Sequence, residues 1–263
     1  MPHCLIIAHR GASAYVPGNT PKAFDLALAQ GAQALEMDIR QTRDGMIVVV
    51  HNTKIKAGKK KKRLHHLTLE EIRDFLTEKE AVLPLKHVFA RYKGKAIFDI
   101  DIKQAGMEEG LVKLIKLAGL NTNAVFLNSN KIHVLEEVRS YWKEAPIVLS
   151  YAFFDGIDWS RFKSWAGPLT PLSIGIRRLL LQRFRRRAVK HQVYGVSLPY
   201  ILVYKGLIQY FHKHDVKIYV WPPESERAMK KLIKLGVDGI KTGKPDVLKK
   251  VIDSWEQTVR LSL

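Results

Sequence analysis

Eight short runs of β-forming, largely apolar residues punctuate this chain, and each is separated from the next by a stretch with helical periodicity. They are Leu5–Ala8, Ala34–Ile39, Ala96–Ile102, Ala124–Leu127, Ile147–Ser150, Tyr194–Leu198, Lys217–Trp221 and Gly239–Thr242. Such alternation builds a parallel sheet, because parallel strands need a long crossover and an amphipathic helix supplies it. Eight strand–helix units need about 250 residues, and the chain has 263. Eight strands in one unit favour a closed barrel over an open sheet. No fixed-period repeat and no Gly/Ser linker divides the sequence. The expectation is one α/β domain over residues 1–263, a (β/α)8 TIM barrel.

Local signals agree with this reading. Thr20-Pro21 starts the first helix, with Thr as N-cap and Pro at the first helical position. Further helices are predicted near Glu108–Ala118, Ile132–Trp142, Tyr204–His214, Glu224–Leu235 and Asp246–Trp255. Asp44-Gly45 is a turn signal that folds Ile47–His51 back on the second strand as a hairpin.

Composition removes several classes. Cys4 is the sole cysteine, so an internal disulfide framework is excluded. No run approaches the roughly 18 apolar residues of a membrane span. The apolar stretch in MPHCLIIAHRG is too short for a signal-peptide core and has no charged region before it, so a cytoplasmic location is expected. Nothing in the sequence indicates an oligomeric state.

The charge is unusual: 44 Lys+Arg against 25 Asp+Glu, a net +19. Such a surface attracts phosphates, on nucleic acid, anionic lipid or a small substrate, although a solvated basic surface has the same composition. Two tracts carry seven positive charges each and no acid, Lys54–Arg63 and Arg177–Lys190. The first reads as an exposed loop. In the second, Ile176, Leu180, Phe184 and Ala188 recur at i+4 and mark an amphipathic basic helix. Both tracts are expected to suit an anionic membrane surface, which would make the protein membrane-peripheral. Specific nucleic-acid binding is not expected, because no recognition module is present and only Phe184 interleaves the basic residues.

The chemistry-bearing residues fall at strand ends. In a (β/α)8 barrel the site lies at the C-terminal ends of the strands. His9-Arg10 follows the first strand, and the Arg-Gly pair that continues it could hold an anion. Glu36 and Asp38 are two apart in the second strand and therefore share a face. Two like carboxylates in an apolar strand are costly to bury, and either a divalent cation or a Lys/Arg partner removes that cost. In the third strand Asp99, Asp101 and Lys103 share a face, which suits either a further metal ligand beside a phosphate-binding lysine or an ion pair in the barrel core. His51 ends the hairpin strand. Trp221 ends another strand, as a ligand wall or a core aromatic.

These residues stand in recognisable company. HRGASAYVPGNTPKAF…GAQALEMDIRQTRDGMIVVVHN, FDIDIK, and IYVW…LIKLGVDGIKTGKPDVL resemble the glycerophosphodiester phosphodiesterase family. The match is specific over the first 52 residues, recurs at 96–103 and again over about 194–249. The resemblance implies a (β/α)8 barrel that hydrolyses glycerophosphodiesters to glycerol 3-phosphate and an alcohol, with Mg²⁺ or Ca²⁺ as cofactor. It implies His9 and His51 as the acid/base pair, Glu36, Asp38 and Asp101 as metal ligands, Arg10 and Lys103 as phosphate contacts, and Trp221 as a wall of the substrate pocket.

The chain also departs from that pattern. Gly18 stands where the family usually has Glu, Asn52 where it has Asp, and Asp101 where it has the longer Glu. Pro222-Pro223-Glu224 replaces Thr-Val-Asn, and Gly243 replaces Asp. The small substrate-covering insertion usual after His51 is replaced by the short lysine run. These departures admit a bulkier, lipid-like or polymeric substrate. They also admit an alternative, a catalytically weakened relative that binds anionic phosphate ligands or membrane lipid.

Overall fold

Each of the eight runs forms a strand, and the strands close on themselves. The structure, a computed structural model, describes residues 4–57, 60–75, 82–151 and 171–260, with the side chains at 56, 57, 60, 171–178, 259 and 260 outside that description. In chain order the strands are β1 (Leu5–His9), β2 (Ala34–Gln41), β3 (Ile47–Val49), β4 (Lys54–Ala57), β5 (Lys60–Arg63), β6 (Leu83–Pro84), β7 (Ile97–Ile102), β8 (Val125–Ser129), β9 (Ile147–Ser150), β10 (Gly195–Pro199), β11 (Lys217–Trp221) and β12 (Gly239–Thr242). The helices are α1 (Pro21–Ala29), α2 (Leu69–Phe75), α3 (Leu85–Tyr92), α4 (Glu108–Leu117), α5 (Ile132–Tyr141), α6 (Pro171–Lys190), α7 (Lys205–His212), α8 (Glu226–Leu235) and α9 (Pro245–Arg260). Parallel pairing runs β1–β2–β7–β8–β9–β10–β11–β12 and returns to β1, giving a (β/α)8 barrel.

The two-residue period of the strands sorts side chains into two layers. Ile6, Ala8, Leu35, Met37, Phe98 and Ile100 face outward and bury against the helices, with Phe24 of α1 and Leu111 of α4 in the same core. The intervening residues Ile7, Ala34, Phe126, Val148 and Tyr219 form a separate buried cluster, the floor of the barrel interior. Tyr219 stacks on Phe126 with ring centroids 5.5 Å apart. It fits because glycines flank it: a Cβ at Gly195 or at Gly239 would lie 2.9 Å from its ring. Above this floor the interior positions turn polar, with Glu36 and Asp38 on β2, Asp99 on β7, Asn128 on β8 and Lys241 on β12 all buried.

Helix and turn signals act as the sequence predicts. The Thr20 hydroxyl accepts from Ala23 N at 3.2 Å and caps α1, with Pro21 in its first turn. Beyond the reach of β1, the edge of β2 at Ile39–Gln41 takes β3 in antiparallel register. The turn between them uses Gly45 at φ +78°, a conformation that glycine adopts without a Cβ clash. Val50 N then donates to Asp38 O at 2.8 Å, which returns His51 to the level of the β2 carboxylates.

The lysine run departs from expectation. Lys54–Arg63 was expected as an exposed loop; its described residues form the antiparallel pair β4–β5, with Lys54 opposite Arg63 and Ile55 opposite Lys62. Its inner face is anchored. Ile55 is buried with Val48, Leu64, Leu67 and Ile72, and the Lys62 ammonium sits 4.4 Å from the centre of the Phe75 ring. A charge count hides such a pattern, because the stem of a lysine is apolar. The short elements α2 and β6 beside this annex, and α3, which packs Leu85, Val88, Phe89 and Tyr92 into the barrel core, carry too few residues to show a period.

The second basic tract is helical, within α6, although the side chains of Ile176, Arg177 and Arg178 lie outside the described residues. Phe184 and Ala188 are buried against the barrel, and the Arg185 guanidinium lies 3.7 Å from the centre of the Tyr210 ring. The Phe184–Ala188 part of its apolar stripe is therefore used in packing. Among the described residues no helix is long and apolar enough to cross a membrane.

The glycine fit around Tyr219 has a measurable consequence. Gly239→Ala places a methyl group against Tyr219, Ile7 and Leu5, and overpacking of this kind costs about 1–3 kcal/mol. Urea unfolding should show that loss, and Tyr219→Leu in the same chain should recover part of it.

Candidate active site

The polar layer gathers at the C-terminal ends of β1, β2 and β7. Register places Glu36 opposite Asp99 and Asp38 opposite Asp101, so two adjacent strands bring four carboxylates together. One oxygen each from Glu36, Asp38 and Asp101 lie within 4.8 Å of one another, a spacing that a divalent cation can bridge. The donor set is oxygen only and two of its members are buried. It fits a hard cation such as Mg²⁺ or Ca²⁺.

Cations from the protein itself hold the cluster together. Lys103 Nζ lies 2.6 Å from Asp101 Oδ2 and 3.2 Å from Asp38 Oδ1. Arg10 Nε lies 2.9 Å from Asp38 Oδ2, and its backbone N–H donates to Glu36 Oε2 at 2.7 Å. That double contact needs Arg10 at φ +57°, which a residue with a Cβ adopts at a cost of about 1–3 kcal/mol. Asn19, at φ +61°, locks the loop from its other end. Its Nδ2 donates to Asp38 Oδ2 at 3.0 Å, and its backbone N donates to Arg10 O at 3.0 Å.

Asp99 belongs to a deeper layer. Lys241 Nζ reaches its Oδ2 at 2.6 Å, and both side chains are buried. Asn128 Nδ2 stands 3.5 Å from Asp99 Oδ1, and the Ser150 hydroxyl donates to Asn128 Oδ1 at 2.6 Å. The strand-three ambiguity is thus divided between its two acids. Asp101 joins the cluster at the mouth, while Asp99 pairs with a lysine in the core.

Charges and burial set the protonation states. Burial and the neighbouring Asp38 push the Glu36 carboxyl up to about 8, with Lys241 offsetting only part of that rise. Burial would also raise Asp38, but Lys103 and Arg10 outweigh it and hold that carboxyl below the usual carboxylate range. Enclosure in the mouth, with Arg10 beside it, lowers His9 to about 3 despite the attraction of Asp38. Partial enclosure lowers His51 as well, again against Asp38. Both imidazoles are therefore neutral near pH 7. His51 Nδ1 lies 3.3 Å from Asn52 Oδ1; with that amide oxygen as acceptor, Nδ1 carries the proton and Nε2 keeps its lone pair.

The sequence-predicted residues thus assemble at one mouth. His9, Arg10, Glu36, Asp38, Asp101, Lys103 and His51 share electrostatic contacts there, and Trp221 stands half-buried at the end of β11, paired in register with Pro199. Sequence reasoning missed Asn19 and Lys241. A lysine alternating with Gly239 inside an apolar strand was the available signal for Lys241. Gly18 also has a structural role: a Cβ there would come within 2.8 Å of Arg10 Cβ, so a longer side chain would displace Arg10 from the carboxylates.

Two measurements check this electrostatic account. Lys241→Met leaves Asp99 buried and uncompensated, which costs about 3–5 kcal/mol; adding Asp99→Asn should recover most of it in urea unfolding. Glu36 gives a pH signature. Between the ordinary carboxylate pKa and about 8, the folded chain holds a proton on Glu36 that the unfolded chain has released. Stability therefore falls as pH rises through that window, by up to about 1.4 kcal/mol per pH unit. In chelator the parent should lose stability relative to Glu36→Gln from about pH 5 to about pH 8, and saturating divalent cation should flatten the difference.

Comparison with known proteins places this geometry. The sequence profile of the Glycerophosphoryl diester phosphodiesterase family matches residues 9–247. The chain is 28% identical over 259 residues to a glycerophosphodiester phosphodiesterase of Caldanaerobacter subterraneus subsp. tengcongensis, covering 93% of this chain and 96% of that protein. Its fold is similar to the crystal structure of glycerophosphodiester phosphodiesterase from Thermotoga maritima, with a TM-score of 0.73 at 21% identity, over 95% of this chain and 99% of that one. It is also similar to an Oleispira antarctica phosphodiesterase in complex with the product sn-glycerol-3-phosphate, with a TM-score of 0.71 at 16% identity, over 96% and 97% of the two chains. The match spans the site loops and the closing strand of the barrel alike, and the chain belongs to the glycerophosphoryl diester phosphodiesterase family.

Proposed function

We propose that the protein hydrolyses glycerophosphodiesters to glycerol 3-phosphate and an alcohol, with His9 and His51 as the acid/base pair and Mg²⁺ or Ca²⁺ held by Glu36, Asp38 and Asp101. One observation carries this reading: three carboxylates converge within 4.8 Å at the barrel mouth, between two cationic side chains. The cation, when bound, supplies Lewis-acid neutralisation of the phosphoryl charge. The other steps rest on the chain's own groups. Arg10 and Lys103 present N–H donors to the phosphate oxygens, as charge-assisted hydrogen bonds. One neutral imidazole takes the proton of the attacking hydroxyl, and the other delivers a proton to the departing alcohol oxygen. An arriving phosphodiester brings negative charge beside both rings, which raises their pKa and lets one of them carry that proton. Trp221 bounds the substrate pocket. The Oleispira antarctica phosphodiesterase supports the choice of product, since its complex holds sn-glycerol-3-phosphate.

A second reading has its own observation. Gly18 and Asn52 stand where the family usually has carboxylates, and Arg10 fills the space beside Gly18. A chain so altered could bind phosphate ligands with little turnover.

Turnover of glycerophosphocholine and glycerophosphoethanolamine with Mg²⁺ or Ca²⁺ separates the two. The expected result is metal-stimulated release of glycerol 3-phosphate that chelator abolishes. His9→Ala and His51→Ala should each lower kcat by about 10²–10⁴. Tight binding of these diesters by the parent with no product under any divalent cation would replace hydrolysis with the binding reading.

A further inference from the structure

The basic hairpin and the turn after β10 are two mouth features that the catalytic reading leaves unused. The hairpin starts at Lys54, three residues after His51. In an antiparallel ladder, opposed residues share a face. Lys54 and Arg63 are directly opposed, and Lys61 lies two residues from Arg63 on the same face. All three are exposed, and among the described residues none has a carboxylate within 4.0 Å. Like charges placed opposite one another destabilise a ladder, and an anion on that face removes the cost.

The turn after β10 supplies the apolar counterpart. Tyr200 and Leu202 pack against the core, which leaves Ile201 55% and Tyr204 49% exposed on a single turn of 3-10 helix and the residue that opens α7. This turn leaves the C-terminal end of β10, the same end of the barrel as the site. In the closed ring β10 stands four strands from β2 in either direction, so the apolar turn and the annex carried by β2 lie across the mouth from each other.

A soluble polyanion would need only the cations. A bilayer with anionic lipid needs both elements, since Lys and Arg engage headgroups while Ile and Tyr sit at the headgroup–acyl boundary. We propose that this mouth docks on an anionic phospholipid membrane through Lys54, Lys61, Arg63, Ile201 and Tyr204, with the carboxylate cluster facing the lipid surface. The basic helix α6 is left out of this surface, because Phe184 and Ala188 on its apolar stripe are buried against the barrel. The docking stands apart from the hydrolytic reading, because binding is measured without turnover.

The test is co-sedimentation of the full chain with phosphatidylcholine vesicles and with phosphatidylcholine vesicles containing phosphatidylglycerol, in chelator. Binding is expected to the second alone and should weaken with added salt. Each cation near an anionic leaflet contributes about fivefold to partitioning. The combined variant K54S/K61S/R63S should therefore lose about a hundredfold, and I201S/Y204S about tenfold or more, while both retain the parent's circular dichroism and its rate on soluble glycerophosphocholine. Equal partitioning of the parent and the triple variant would overturn the proposal. So would full vesicle binding by I201S/Y204S combined with displacement of the parent by RNA, which would identify the hairpin as a general polyanion site. A failure of either kind, with soluble turnover intact, leaves the hydrolytic reading standing.

Discussion

Neutralisation of four carboxylates on two neighbouring strands is the constraint around which this barrel is built. Glu36, Asp38, Asp99 and Asp101 face one another across β2 and β7, and burying that many like charges without partners would cost more than a domain's whole stability. The chain meets the demand by depth. At the lower level Lys241, from the strand beyond β1, takes Asp99 into a fully buried pair. At the upper level Arg10 and Lys103 reach Asp38 and Asp101 from the rim, where both cations keep partial exposure. The lower pair is structural, since water and ligand do not reach it. The upper pairs can open, and an opening at the mouth is what a site for a charged ligand requires.

The β1 loop is strained for the same reason. Arg10 and Asn19 both adopt left-handed backbone conformations, and the bond between them brings the Arg10 side chain and the Asn19 amide onto one carboxylate. Gly11 and Gly18 are what the packing permits on either side: a Cβ at Gly11 would meet the Ala23 backbone at 2.6 Å, and one at Gly18 would meet Arg10. The strain is offset by three contacts to buried acids, two of them to the ionised Asp38, so the loop's geometry and the acids' burial depend on each other.

Most of this was legible from residues alone. The eight strands were readable because alternating burial leaves a period and because parallel strands demand intervening helices. Glu36 and Asp38 were readable because two acids in an apolar strand have few structural uses. Legibility ended where partners are distant in sequence. Nothing near Asp99 says that its counter-ion is Lys241, 142 positions later, so the strand-three acids looked alike although one belongs to the core and the other to the mouth. The lysine hairpin was obscured for another reason. Its charges suggest a loop, while the ladder is held by Ile55 and by the apolar stem of Lys62, which composition counts as polar.

Lys103 carries the same argument into function. It has one ammonium group and, under the proposed chemistry, two demands on it. In the structure it bridges Asp38 and Asp101; for substrate binding its protons must point at a phosphate. A phosphate then competes with two carboxylates for the ammonium's three protons, and another positive charge at the acids relieves that competition. A cation at the acids and a phosphate at Lys103 therefore favour each other by linkage, since each removes the competitor for the other's partner. Arg10 faces the same choice at Asp38, with the difference that its backbone N–H stays on Glu36 whichever way the side chain turns. The loop can thus surrender its guanidinium to a ligand without losing its own anchor, which is why the strain sits in the backbone and the freedom in the side chain.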